Sequence, residues 1–279
     1  MNDLAFLYQD QGRYEQAEPL SIETLALSKE ILGLKHPDTL SSMNILAFLY
    51  NSQGRYEQAE PLLIETLALS KEILGLKHPD TLTSMSNLAL LYQDQGRYEQ
   101  AEPLYIETLA LSKEILGLKH PDTLISMSNL AFLYENQGRY EQAEPVNIET
   151  LALQKEILGL KHPDTLTSMN NLAVLYFSQG RYEQAEPMYT EALALSKEIL
   201  GLKHPDTLNS MSNLAVLYEA QGRYEQAEPL YSETLALQKE ILGLKHPDTL
   251  GSMSNLAYLY HATQQWKQAQ TLWDEYLTL

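Results

Sequence analysis

Three sets of residues in this 279-residue chain are of types that do chemistry, and each returns at a spacing of 42 residues. Histidine opens a His-Pro-Asp triplet at His36, His78, His120, His162, His204 and His246. Glutamates stand three apart at Glu15 and Glu18 and in later copies. Asparagine recurs at Asn87, Asn129, Asn171, Asn213 and Asn255, a series that Ile45 and Asp3 break towards the N-terminus. A histidine row would suggest a metal, a carboxylate pair acid-base catalysis, and a carboxamide row the grip on a peptide backbone. The spacing decides among them. Equivalent points on stacked helices lie about 10 Å apart, whereas coordination needs nitrogens about 2 Å from one ion, so the histidines are not metal ligands. Glutamates in the first turns of a helix are ordinary partners of its dipole. A carboxamide offers donors and an acceptor, and a row of them one repeat apart can pair with an extended peptide. With no Gly-rich phosphate loop and no nucleophile motif, enzymatic activity is not expected, and neither a cofactor nor a metal.

The elements that must position these residues are set by two verbatim blocks. GLKHPDTL begins at Gly33, Gly75, Gly117, Gly159, Gly201 and Gly243, and QGRYEQAEP begins at Gln11, Gln53, Gln95, Gln137, Gln179 and Gln221. A period of this size marks a solenoid, whose units bury their apolar faces only by stacking. Leu82, Met85, Leu88, Ala89, Leu91 and Tyr92 recur at three and four, which predicts a helix A with one apolar stripe. It should begin near His78-Pro79-Asp80 and stop at Gly96, which can take the left-handed conformation. Helix B should run from Tyr98 to Gly117, with a slight kink and no break at Pro103.

Composition narrows the function further. Each repeat carries three cations against five carboxylates, and the chain's net charge is −18, which repels a nucleic-acid backbone. Cysteine is absent, so there is no disulfide framework and no thiolate site. No apolar run is long enough to span a membrane and no signal segment opens the chain, so a soluble cytoplasmic protein is expected.

Leu88-Ala89, Tyr92, Gly96, Tyr98, Ala101 and Tyr105 together resemble the tetratricopeptide repeat (TPR) signature. The long helix B, the HPD turn and the NLAxLYxxQGRYEQAE run resemble more narrowly the kinesin light chain type, over essentially the whole chain. Two features depart from the pattern. The usual alanine late in helix B is Thr24, Thr66, Thr108, Thr150 and Thr234, with alanine only at Ala192, and the usual closing proline is absent. The resemblance implies an all-α solenoid, a right-handed TPR superhelix of antiparallel helix pairs, with helix A lining a concave groove.

Within that frame the variable positions of helix A are the candidate binding face. They are Ser86, Ser128, Asn170 and Ser212; Phe48, Leu90, Phe132, Val174 and Val216; and Gln93, Glu135, Phe177 and Glu219. Their offsets place them on one helical face beside the asparagine row, while the outer Glu15, Gln16, Glu18 and Glu23 never vary. The face carries Asp94, Glu135 and Glu219 and neither Lys nor Arg, so a neutral or basic peptide or protein segment is expected in place of the acidic ones known for kinesin light chain grooves. Residues 1–279 read as one array, with a truncated first repeat and a divergent capping repeat over about 247–279, where Gln264 replaces the glycine and Trp266 the tyrosine. A monomer, or a weak dimer through apolar residues among Leu4, Phe6, Leu7 and Tyr8, is expected. The alternative function is a structural or sensor segment of a larger protein, with no peptide ligand of its own.

Overall fold

A computed structural model describes residues 4, 5, 7, 8 and 13–278. Asp3, Phe6 and Gln11, named above, lie outside them. All regular structure among the described residues is helical. The contacts divide the chain into two compact units, Met1–Arg139 and Tyr140–Leu279.

The first unit contains α1 (Tyr14–Ile31), α2 (Pro37–Ser52), α3 (Tyr56–Ile73), α4 (Pro79–Asp94), α5 (Tyr98–Ile115) and α6 (Pro121–Asn136). The second contains α7 (Tyr140–Ile157), α8 (Pro163–Ser178), α9 (Tyr182–Ile199), α10 (Pro205–Ala220), α11 (Tyr224–Ile241), α12 (Pro247–Ala262) and α13 (Trp266–Leu277). Even-numbered helices are the expected A helices and odd-numbered ones the B helices. Within each unit every helix packs on the next, and an A helix also touches the following A helix, α2 on α4 and α8 on α10. This is the packing of a helical-repeat solenoid.

The verbatim blocks prove to be joints. His78 is the N-cap of α4, its Nδ1 accepting from the Asp80 N–H at 3.2 Å, and Pro79 occupies the first turn, where its missing N–H costs nothing. Thr81 Oγ1 then donates to the Gly75 carbonyl at 2.9 Å, tying the start of one helix to the end of another. At the other end Gly96 has φ +71, its N–H meets the Gln93 carbonyl at 2.9 Å, and the Arg97 N–H meets the Tyr92 carbonyl at 2.8 Å. That pair of bonds is a Schellman closure, and it leaves three residues to turn the chain into α5. Pro103 lies inside α5 and does not break it. Alanines 0 % exposed, Ala89 on α4 and Ala101 on α5, belong to one core cluster with Leu88, Leu91, Met85 and Tyr105.

The last joint repeats the closure without the glycine. Gln264 stands at φ 61, and the Gln265 N–H still reaches the Tyr260 carbonyl at 2.8 Å. An L side chain in the left-handed region costs about 1 kcal/mol or more, so Gln264→Gly is expected to raise stability by about that amount. Urea unfolding followed by circular dichroism will measure it.

At the N-terminal edge Leu4 and Leu7 are exposed, Tyr8 is half-buried and Ala5 is buried.

Candidate binding groove

The asparagine row sits on the A helices in each unit. In the first unit Asn87 on α4 and Asn129 on α6 are half-buried, and no hydrogen bond joins either side chain to another described residue. In the second, Asn213 and Asn255 are half-buried and Asn171 is exposed, again without an internal partner. Their donors and acceptors are therefore open to a guest. Beside them Phe132 is 52 % exposed, while Phe48, Leu90, Val174 and Val216 are half-buried. Ser86, Ser128 and Ser212 are half-buried, as is Asn170, whose Nδ2 donates to Ser210 Oγ at 2.8 Å.

The remaining variable positions lie elsewhere. Gln93 is 4 % exposed, and neither of its amide atoms has a partner. Its counterpart Asn51 is also buried, with its Nδ2 donating to Asp94 Oδ2 at 2.6 Å in the next A helix. Phe177 packs on the Tyr182 ring, with centroids 5.6 Å apart. Glu219 is half-buried and accepts from the Tyr231 hydroxyl at 2.7 Å, and Glu135 is half-buried too. Burial, then the hydrogen bond to Glu219, pushes the Tyr231 phenol well above its ordinary value. The far end of helix A thus faces neighbouring helices, and variation there records which polar or aromatic pair fills a seam.

Between α4, α5 and α6 the open face deepens into a cleft of about 230 Å³. Asn87 and Asn129 flank it, Ser86, Thr108, Ser112 and Ser126 bring hydroxyls, and Leu82, Leu116 and Ile125 form apolar walls.

The outer surface holds what sequence reasoning missed. Each QGRY arginine lies over the tyrosine that ends the preceding A helix, Arg97 over Tyr92 at 4.3 Å and Arg181 over Tyr176 at 4.3 Å. The same guanidinium reaches back 37 residues to a glutamate: Arg55 to Glu18, Arg97 to Glu60, Arg139 to Glu102, Arg181 to Glu144 and Arg223 to Glu186, all at 2.6–2.8 Å. In the capping repeat Gln265 takes the arginine's place and bonds Glu228 at 3.1 Å. Lysines add an outer rung, Lys77 to Glu114 and Lys203 to Glu240 among them. Exposed lysine pairs contribute little, typically under about 1 kcal/mol, so the partly buried arginine rungs matter more. They give the Glu18 position a partner, whereas Glu15 and Glu23, equally constant in the six copies, are exposed.

A hydrogen bond from Arg181 holds Glu144 below the ordinary glutamate value of 4.5, and Arg223 does the same to Glu186. A depressed carboxylate stabilises the fold fully above that ordinary value, and the contribution is lost as pH falls through the depressed one. Arg181→Gln is therefore expected to lower the Tm at pH 7, and the gap to the parent should narrow as the pH is taken below the ordinary glutamate value, leaving the part that comes from stacking on Tyr176. Thermal melts of both chains over that range check it.

No helix among the described residues is long and apolar enough to cross a membrane, and among them no three His, Asp or Glu side chains are grouped to hold a metal ion. The tetratricopeptide repeat signature matches residues 1–72, 42–114, 80–146, 122–198, 176–240 and 206–279. No curated protein matches the chain. Among solved structures it is similar to a Podosopora anserina protein assigned as a kinesin light chain with nearly identical TPR-like repeats. The identity is 30 % over 74 % of this chain and 97 % of that one, at a TM-score of 0.62. It shares its fold with BtubC (BKLC) from P. vanneervenii, at 24 % identity over 84 % of this chain and 94 % of that one, TM-score 0.65. It also shares the fold with a Pyrococcus horikoshii signal-transduction ATPase of the STAND class bearing a tetratricopeptide repeat sensor. There the identity is 18 %, with 99 % of this chain matched to 41 % of that one, TM-score 0.63. Repeats that close with Gly96-type turns, pack small alanines between paired helices and match one signature from end to end make this chain a member of the tetratricopeptide repeat family, of the kinesin light chain-like kind.

Proposed function

We propose that the chain is a non-catalytic interaction scaffold that holds an extended peptide, or an extended segment of a partner protein, along the open face of its A helices. The observation that carries this is the asparagine row: five carboxamides at one register, none bonded to another described residue. Carboxamides left open to solvent at one register can exchange water for the backbone groups of a guest. The chain serves as one tandem array over 1–279, since the signature match from 122 to 198 runs across the division at Arg139. Its partner is a neutral or basic polypeptide, because no cation stands among the variable face residues and the net charge is −18. Selection from a random peptide library on the immobilised chain tests the proposal. Enriched sequences should be neutral or basic and rich in apolar residues. An acidic peptide that binds more tightly than its charge-neutral version overturns the charge assignment.

A second function is favoured by the outer ladder. Identical rungs at successive joints make a uniform spacer, which suits a structural or sensor segment of a larger signalling protein. A library selection that yields no binder decides for it.

A further inference from the structure

The cleft of the first unit stays open because the side chain that bridges the equivalent gap in two other repeats is missing. Between α2 and α4, Asn44 Nδ2 donates to Ser84 Oγ at 3.0 Å, and between α8 and α10, Asn170 Nδ2 donates to Ser210 Oγ at 2.8 Å. Each of those serines gives its own proton to an aspartate carbonyl four residues earlier, Ser84 to Asp80 and Ser210 to Asp206. The amide N–H therefore meets a serine lone pair. Between α4 and α6 the bridging position is Ser86, too short to span. Ser126 Oγ again donates to its aspartate carbonyl, Asp122, at 2.8 Å, and its lone pairs meet only Ser112 Oγ, at 3.4 Å. An acceptor that carries an N–H in two sister repeats lacks one here.

Thr108 adds an unpartnered hydroxyl. Thr24, Thr66 and Thr150 turn their hydroxyls back onto carbonyls four residues earlier, at 2.6–2.8 Å. Thr108 lines the cleft, is 1 % exposed, and its Oγ1, like that of Thr234, has no partner. In the last repeat pair the counterpart of Ser112 is Gln238, a longer side chain that is itself buried. Small residues at both positions, Ser86 and Ser112, leave the gap between α4 and α6 unfilled.

We propose that this cleft takes the side chain of an arginine from a bound polypeptide and so fixes the register of that polypeptide on the open face. The proposal rests on the groove function given above and names the residue that anchors it. A guanidinium offers only donors, five N–H groups in a planar fork, and the cleft can meet them with the lone pairs of Thr108 and Ser112 and the carboxamide oxygens of Asn87 and Asn129. Leu82, Leu116 and Ile125 cover the aliphatic stem. Asp122, at the lining, brings the opposite charge, and no Lys, Arg or His is among the lining residues to repel the guest. A carboxylate guest would meet the like charge of Asp122 with no cation to offset it.

The test uses the full chain and three blocked pentapeptides of alanine whose central residue is arginine, glutamate or alanine, titrated calorimetrically. The arginine peptide should bind at least about tenfold more tightly than either other, the scale of one charge-assisted recognition. Ser86→Asn should recreate the bridge seen at Asn44 and Asn170, leave the Tm unlowered, and weaken the arginine peptide by about tenfold. Thr108→Val, which removes the hydroxyl at nearly constant shape, is the second variant and should weaken it several-fold. An arginine peptide no tighter than the alanine one overturns the proposal, as does S86N or T108V binding it as the parent does. If those results come while library-selected peptides still bind and still need Asn129, the anchor fails and the groove stands. If the library also yields nothing, the groove itself fails.

Discussion

Leu91→Ala is expected to lower the unfolding free energy by about 2–5 kcal/mol, the largest effect of any single change considered for this chain. Leu91 lies on α4, is 0 % exposed, and belongs to the core cluster that joins α2, α3, α4 and α5. Truncation loses the transfer energy of the removed carbons and leaves a cavity between helices held rigidly apart by their capped joints. Relaxation is limited because the alanines at the crossings, Ala89 and Ala101, already let the backbones approach closely. Ile106→Ala is the control: Ile106 projects from α5 and is 46 % exposed, so its loss should stay within about 0.5 kcal/mol. Urea unfolding of the two variants beside the parent, read by circular dichroism, should separate them clearly. Equal losses would mean that the apolar stripe of helix A is not the principal source of stability.

Asn129→Ala and Asn171→Ala should do the reverse, weakening a library-selected peptide by about 1 kcal/mol or more for each carboxamide it pairs with while the Tm barely moves. Neither side chain bonds to another described residue, so truncation strands no internal donor or acceptor. Asn51→Ala makes the contrast, because it removes the hydrogen bond from the buried Asn51 to the Asp94 carboxylate across the seam and should lower stability instead. Titration calorimetry and thermal melts on the same three variants give both readouts. A large fall in Tm for Asn129→Ala with binding intact would assign the row to internal structure.

The helical plan was legible in the sequence because its signals are local. HPD marks the observed start of α4 at Pro79, Gly96 its closure, and Tyr98 the start of α5, all fixed by residues within one turn of the joint. The arginine ladder was not legible. Its partners stand 37 residues apart, five short of the repeat, a spacing that means nothing until B helices are laid beside one another. The open face was legible in part. Variation at the middle of helix A coincides with exposed or half-buried positions such as Phe132 and Leu90. At Asn51 and Gln93 it coincides with burial, where Asn51 reaches from the seam to the exposed Asp94 of the next A helix. Drift at a solvated face and exchange at a buried seam look alike in one sequence. The cleft, too, escaped notice, since Ser86 and Asn44 differ by a single bridging group whose reach only coordinates reveal.

The rungs that join Arg97 to Glu60 and Arg181 to Glu144 are the same rung cast at different joints, and so are the threonine ties to the preceding glycine. A stretch of 42 residues can therefore be removed or copied whole, and the new joint still brings an arginine to a glutamate. Unequal crossing-over within such a gene hands its descendants arrays of different lengths whose joints are matched from the outset. The number of repeats along the protein becomes a heritable quantity that changes in integer steps.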